Sequence, residues 1–161
     1  MPRLLIVHHS PTATVRELTE AVVAGANDDA IEGVEVVVRE ALAASADDVL
    51  AADGYLLGTT ANFGYMSGAL KHFFDSIFLE AGGALTDDGS AGATEGGKRP
   101  YGLWVHGRYD TTGAVRSVQS IVGALPWRQA APVLEVLGDV GDAERGAAYE
   151  LGGTIAALLT T

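Results

Sequence analysis

Near the start of the chain, Leu4-Leu5-Ile6-Val7 runs as an unbroken apolar segment between Arg3 and His8. A strand of that kind has no polar face to give to water, so both of its faces must be covered. That requirement points to a central strand of a parallel sheet with helices on either side. The rest of the chain keeps the rhythm. After a polar turn, Val15, Leu18, Val22 and Ala26 recur at helical spacing, with Arg16, Glu17 and Glu20 on other faces. Further strands are predicted over residues 33–38, 54–58, 101–106 and 133–137. Helical segments are predicted over 47–52, 66–79, 112–125 and 143–159, the second carrying a stripe of Met66, Leu70, Phe73, Phe74, Ile77 and Phe78. Five strands alternating with helices make an α/β three-layer sandwich. Right-handed crossovers favour a five-stranded parallel sheet of order 2-1-3-4-5. With 161 residues and about 100–200 residues per domain, a single domain over 1–161 is expected.

Composition narrows the function. The formal net charge is −11 and 48 % of the residues are hydrophobic. Such acidity repels phosphate backbones and anionic lipid, so nucleic acid and membrane surfaces are poor partners. The sequence has no cysteine, which excludes disulfides, thiolate nucleophiles, iron–sulfur clusters and cysteine zinc sites. Neighbouring His8 and His9 point to opposite faces of a strand, and His72 and His106 stand alone, so no metal site is expected. No stretch approaches the roughly 20 apolar residues of a membrane span, and no export signal is evident, so a cytoplasmic location is expected.

In a sheet of this order, ligands bind beyond the carboxyl ends of the strands where the winding reverses. Three loops meet there, at residues 10–14, 59–64 and 106–113. In the first, Ser10, Thr12 and Thr14 place three hydroxyls just before a helix, whose free N–H groups suit a phosphate without help from Lys or Arg. The same residues also read as ordinary caps: Ser10 with Pro11 as first helical residue, or Thr14 with Glu17 as a capping box. No GxGxxG follows the first strand and no GxxxxGK[ST] occurs, which argues against a dinucleotide turn and a P-loop. His8-His9 stands where a phosphotransfer receiver needs acidic residues.

The segment from Gly58 to Asp75, GTTANFGYMSGALKHFFD, is the most specific part of the chain. It resembles flavodoxin-like NAD(P)H-dependent FMN reductases and quinone reductases: a small Thr-containing turn, an aromatic-Gly, a Met-Ser helix start, then Leu-Lys. The resemblance spans nearly the whole chain, although the first loop lacks the internal glycine of a flavodoxin. It implies FMN, with the phosphate on His9, Ser10, Thr12, Ala13 and Thr14. It implies the isoalloxazine ring between Thr59, Thr60, Ala61, Asn62, Phe63 and Gly64 on one side and His106, Gly107 and Tyr109 on the other. Phe63 reads as an apolar wall or as core, and Gly64 as a position whose backbone a Cβ would restrict. Tyr109 reads as a ring contact or as cover for a helix start capped by Asp110 or Thr111. His106 or Arg108 would lie near the ring's pyrimidine edge, where a donor stabilises reduced flavin. Trp104, Met66 and Leu70 read as core, while Lys71 and His72 face solvent.

The function so implied is transfer of electrons from NAD(P)H through FMN to a quinone-like or other small-molecule acceptor, with no catalytic acid or base required of the protein. A flavodoxin-type carrier serving a redox partner protein, and a flavin-binding regulatory module, are the alternatives. The resemblance also implies a homo-oligomer. Glycine-rich residues 82–99 break the periodicity and are expected to contact a partner subunit, anchored by Ala84-Leu85, rather than to form part of the cofactor pocket.

Overall fold

The computed structural model describes residues 1–81 and 98–161. The expectation for 82–99 falls almost wholly outside them. The elements in chain order are β1 (Arg3–His8), α1 (Ala13–Ala26), β2 (Glu35–Glu40), α2 (Ala46–Leu50), β3 (Gly54–Asn62), β4 (Tyr65–Met66) and α3 (Gly68–Ala81). They continue with β5 (Pro100–Gly107), α4 (Thr112–Ala124), β6 (Arg128–Gln129), β7 (Leu134–Leu137) and α5 (Asp142–Leu158).

The parallel ladder runs β2-β1-β3-β5, and both β6 and β7 pair with β5 on its far side. Counted as one interrupted edge, β6 and β7 are the fifth strand, so the order is the predicted 2-1-3-4-5. The apolar run of β1 is central, and Leu4, Leu5, Ile6 and Val7 are all buried. Strand alternation then sorts the core into two layers. Leu4, Ile6, Leu56, Trp104 and Val136 face α1 and α5, meeting Leu18, Val22, Leu151 and Ile155. Leu5, Val7, Leu57, Leu103 and Val105 face the other side, against Val49, Leu70, Phe73, Ile77, Val118 and Val122 of α2, α3 and α4. Helices α1 and α5 touch backbone to backbone: a Cβ on Gly152 would stand 2.0 Å from the Val22 carbonyl oxygen.

Two boundaries differ from the sequence prediction in ways that matter for function. Strand β3 runs on to Asn62 rather than stopping at Gly58, and Met66 belongs to β4 rather than to the helix after it. The expected loop over 59–64 is therefore largely a β-hairpin, with Ala61 opposite Met66 and Asn62 opposite Tyr65. Thr59 and Thr60 continue the parallel pairing with β5, opposite Val105 and His106, and only Ala61 and Asn62 lie against the short antiparallel strand β4. Among the described residues, no helix is long and apolar enough to cross a membrane.

Candidate functional site

The carboxyl ends of β1, β3 and β5 lie side by side, and the three segments that leave them are joined directly. The His9 N–H donates to the Gly58 carbonyl at 3.0 Å, tying the first loop to β3. A Cβ on Gly107 would stand 3.2 Å from that of Ala61, so β5 closes against the base of the hairpin.

In the first loop, Thr12 is the N-cap of α1, accepting from the Val15 N–H at 3.3 Å. Neither of the predicted caps is used. The Ser10 hydroxyl is instead bonded to His8 Nδ1 at 2.9 Å and to Thr19 Oγ1 at 2.7 Å. These tertiary bonds outweigh the local capping preference and turn Ser10 toward a cleft of about 410 Å³ between α1 and edge strand β2, lined by His8, Arg16, Thr19, Val23 and Val38. Burial pushes the His8 imidazole below its ordinary pKa; Glu40 opposes that shift and His9 adds to it. Among the described residues, the backbone N–H groups of Ser10, Thr12, Ala13 and Thr14 donate to nothing. Thr12 is exposed and Thr14 half-buried, so both hydroxyls remain reachable. Unpaired N–H groups at the start of a 14-residue helix form an anion-binding nest.

The hairpin has the opposite construction. Its two-residue turn puts both Phe63 (φ 51) and Gly64 (φ 75) in the left-handed region, the type I′ geometry that matches strand twist. Glycine takes that conformation freely, but a residue with a bulky side chain there costs about 1–2 kcal/mol. No packing offsets it, since Phe63 is fully exposed at 109 %. It is therefore not core. The Thr60 hydroxyl donates to Asn62 Oδ1 at 2.9 Å, leaving the Asn62 amide nitrogen outward on an exposed residue. Thr59 is different: it is wholly buried, its Oγ1 donating to the Thr60 carbonyl and accepting from the Ser67 N–H at 3.0 Å. Its side chain anchors the start of α3 and is closed to a ligand.

The third segment divides in the same way. His106 is buried, and its Nε2–H donates to the Gly138 carbonyl at 2.7 Å, which fixes the ring beneath the sheet's end rather than toward a ligand. Arg108 pairs with Asp139 at 3.6 Å on the surface. Asp110 accepts from the Thr112 N–H and hydroxyl, bonds that hold its carboxyl below the usual range and fix the entry to α4. Thr111 is buried and donates to Glu135. Tyr109 covers nothing among the described residues; at 94 % exposure it stands free like Phe63. Trp104, Met66 and Leu70 are buried, as predicted; Lys71 is ion-paired to Asp75 at 2.7 Å, and His72 is exposed.

The resulting arrangement is a set of N–H groups without partners among the described residues at one end and two exposed aromatic side chains at the other, with a half-satisfied amide between. It suits an elongated ligand with an anionic terminus and a flat apolar body. Residues that sequence reasoning passed over are Ser117 and Glu135, which with Ser67, read there only as part of a helix start, hold these segments in place. A lone Ser or Glu at ordinary spacing carries no signal for such a role.

No protein-family model matches the chain. It is 32 % identical over 85 residues to a flavodoxin from Aquifex aeolicus; the match spans 53 % of this chain and 45 % of that protein, about half its length. Among solved structures it is similar to a flavodoxin from the domain Archaea, with TM-score 0.79 and 15 % identity over 99 % of each chain. A flavodoxin, WrbA-like protein from Agrobacterium tumefaciens superposes with TM-score 0.74 and 14 % identity, covering 99 % of this chain and 98 % of that one. The fold is the flavodoxin-like α/β sandwich.

Proposed function

We propose that the chain binds FMN at the carboxyl ends of β1, β3 and β5 and serves in electron transfer as a flavodoxin-type carrier. The observation that carries this reading is Phe63: a strained, fully exposed aromatic at a tight turn, with Tyr109 exposed on the neighbouring segment. Strain with no structural return is a mark of a functional site, and a planar ligand would give both rings the packing they lack. The N–H groups of Ser10, Thr12, Ala13 and Thr14, without partners among the described residues, fit the phosphate, and they do so without calling on a cation in so acidic a chain. Thr60, Ala61, Asn62 and Gly64 would line the ring's polar edge through the hairpin backbone and the Asn62 amide, and Gly107 would close its base. Bound flavin supplies the redox chemistry; the protein supplies position, exclusion of water and hydrogen bonds.

The experiment is a titration with FMN, monitored by flavin fluorescence and protein melting temperature. Saturation at one FMN per chain supports the reading, and no change in either signal overturns it. A second reading, an NAD(P)H-dependent reductase of quinones or similar small acceptors, is favoured by the resemblance of residues 58–75 to such enzymes. Steady oxidation of NADH or NADPH in the presence of FMN and a quinone would establish it. Reduction by a partner protein with no such turnover would establish the carrier. A cytoplasmic homo-oligomer belongs to the same proposal, and light scattering of the FMN-loaded protein tests the assembly.

A further inference from the structure

The β3–β4 hairpin projects past the sheet, and residues 62–65 at its tip are exposed. What positions it is α4. A Cβ on Gly113 would fall 1.9 Å from the Gly64 carbonyl oxygen, so the bare Cα of Gly113 is in contact with the turn's backbone. One helical turn further on, Ser117 Oγ accepts from the Met66 N–H at 3.2 Å while its own hydroxyl donates to the Ala114 carbonyl at 2.9 Å. Residues four apart share a helix face, so Gly113 and Ser117 form one seat with two contacts, one at the tip and one at the returning strand. The seat is itself fixed: Ala114, Val118 and Val122 are buried in the core, and Asp110 and the Thr111–Glu135 bond hold its entry.

We infer that Gly113 and Ser117 are positioning residues that set where the hairpin tip stands, and through it the affinity and reduction potential of a flavin ring bound there. This rests on the proposal that the chain binds FMN. A side chain at 113 meets backbone, which cannot rotate away. Because α4 is anchored in the core and the hairpin tip is not, the tip is the part that moves. Ser117 contributes through the direction of its lone pair, which the Ala114 bond aims at Met66.

Two readouts test this in parallel: backbone amide shifts of residues 61–66 in the ligand-free protein, and affinities for FMN and riboflavin with the midpoint potential of the bound flavin. Gly113→Ala should displace the 61–66 amides and leave those of residues 10–14 in place. It should weaken FMN and riboflavin by the same factor, about tenfold or more, as overpacking a tight contact does, and shift the potential. Ser117→Ala should do the same to a smaller extent, and Ser117→Thr, which keeps the oxygen, should restore both signals. Unmoved 61–66 amides in both Gly113→Ala and Ser117→Ala would overturn the proposal. So would wild-type affinities and potential in a variant whose amides have moved. If the chain binds no flavin at all, the FMN reading fails and this one falls with it on the ligand side, whereas moved amides would still show that α4 seats the hairpin.

Discussion

The β1–α1 loop and the β3–β4 hairpin sit on the same edge of the same sheet and offer opposite things to a ligand. In the loop the Ser10 hydroxyl is committed to His8 and Thr19, and what is left to a ligand is main-chain donors together with the hydroxyls of Thr12 and Thr14. In the hairpin the strands pair Ala61 with Met66 and Asn62 with Tyr65, the Met66 N–H goes to Ser117, and the groups that stand outward are the side chains of Phe63 and Asn62. Main-chain donors recognise charge and geometry with little regard to sequence, while exposed rings recognise flat apolar surface. The two ends of the site are thereby specialised for the two ends of a molecule such as FMN.

That division can be broken one end at a time. The largest effect is expected from Thr12→Val with Thr14→Val, since each lost hydrogen bond to a charged group is worth about 1.5–3 kcal/mol. FMN should weaken and riboflavin, which lacks the phosphate, should not. Equal loss for both ligands would show that these hydroxyls only start the helix. Next is Phe63→Gly, which removes ring contact worth about 1.5–3 kcal/mol and relieves the left-handed strain. Affinity for both ligands should fall together while the ligand-free protein melts no lower than wild type. A fall in FMN alone would contradict the assignment of this end to the ring. Thr59→Val should act on stability instead, leaving the buried Ser67 N–H unpaired at about 1–3 kcal/mol. Circular-dichroism melting would register it, with the ratio of FMN to riboflavin affinity unchanged.

The smallest effect concerns pH. Because folded His8 lies below its ordinary value of 6.5, the unfolded chain takes up the proton first as pH falls. Stability from this group is complete above that value and declines below it. Melting temperature should drop between about pH 7.5 and about pH 5.5. His8→Asn, which can still accept from Ser10, should remove a part of that drop, read as a flatter dependence of melting temperature on pH.

The legibility of each feature in the sequence depends on how it is encoded. The sheet order is readable because β1, β3 and β5 are continuous apolar runs, and burial on both faces leaves few places to put them. The hairpin is not, because its returning strand β4 is only two residues long and carries no alternation to read; pairing with it extends β3 to Asn62. The N-cap misleads for a related reason. Ser10-Pro11 is a good local start signal, but Thr19, nine residues on, competes for the Ser10 hydroxyl and wins. Short β6 carries no pattern at all. That the segments after β1, β3 and β5 come together is legible, whereas the commitment of Thr59 and His106 to the interior depends on long-range partners that no local pattern announces.

The two-residue turn at Phe63-Gly64 also bears on how this site can diversify over evolutionary time. Strand side chains alternate with a period of two, so a residue inserted between Asn62 and Tyr65 must be taken up wholly in a longer turn; if it entered the strand instead, Met66, now buried, would turn to the outer face. Position 63 is unrestricted by packing but restricted by its left-handed backbone, which favours Gly, Asn and Asp. Substitution there trades local strain against the surface offered to a ligand, while a change of length is confined to the turn by the burial of Met66.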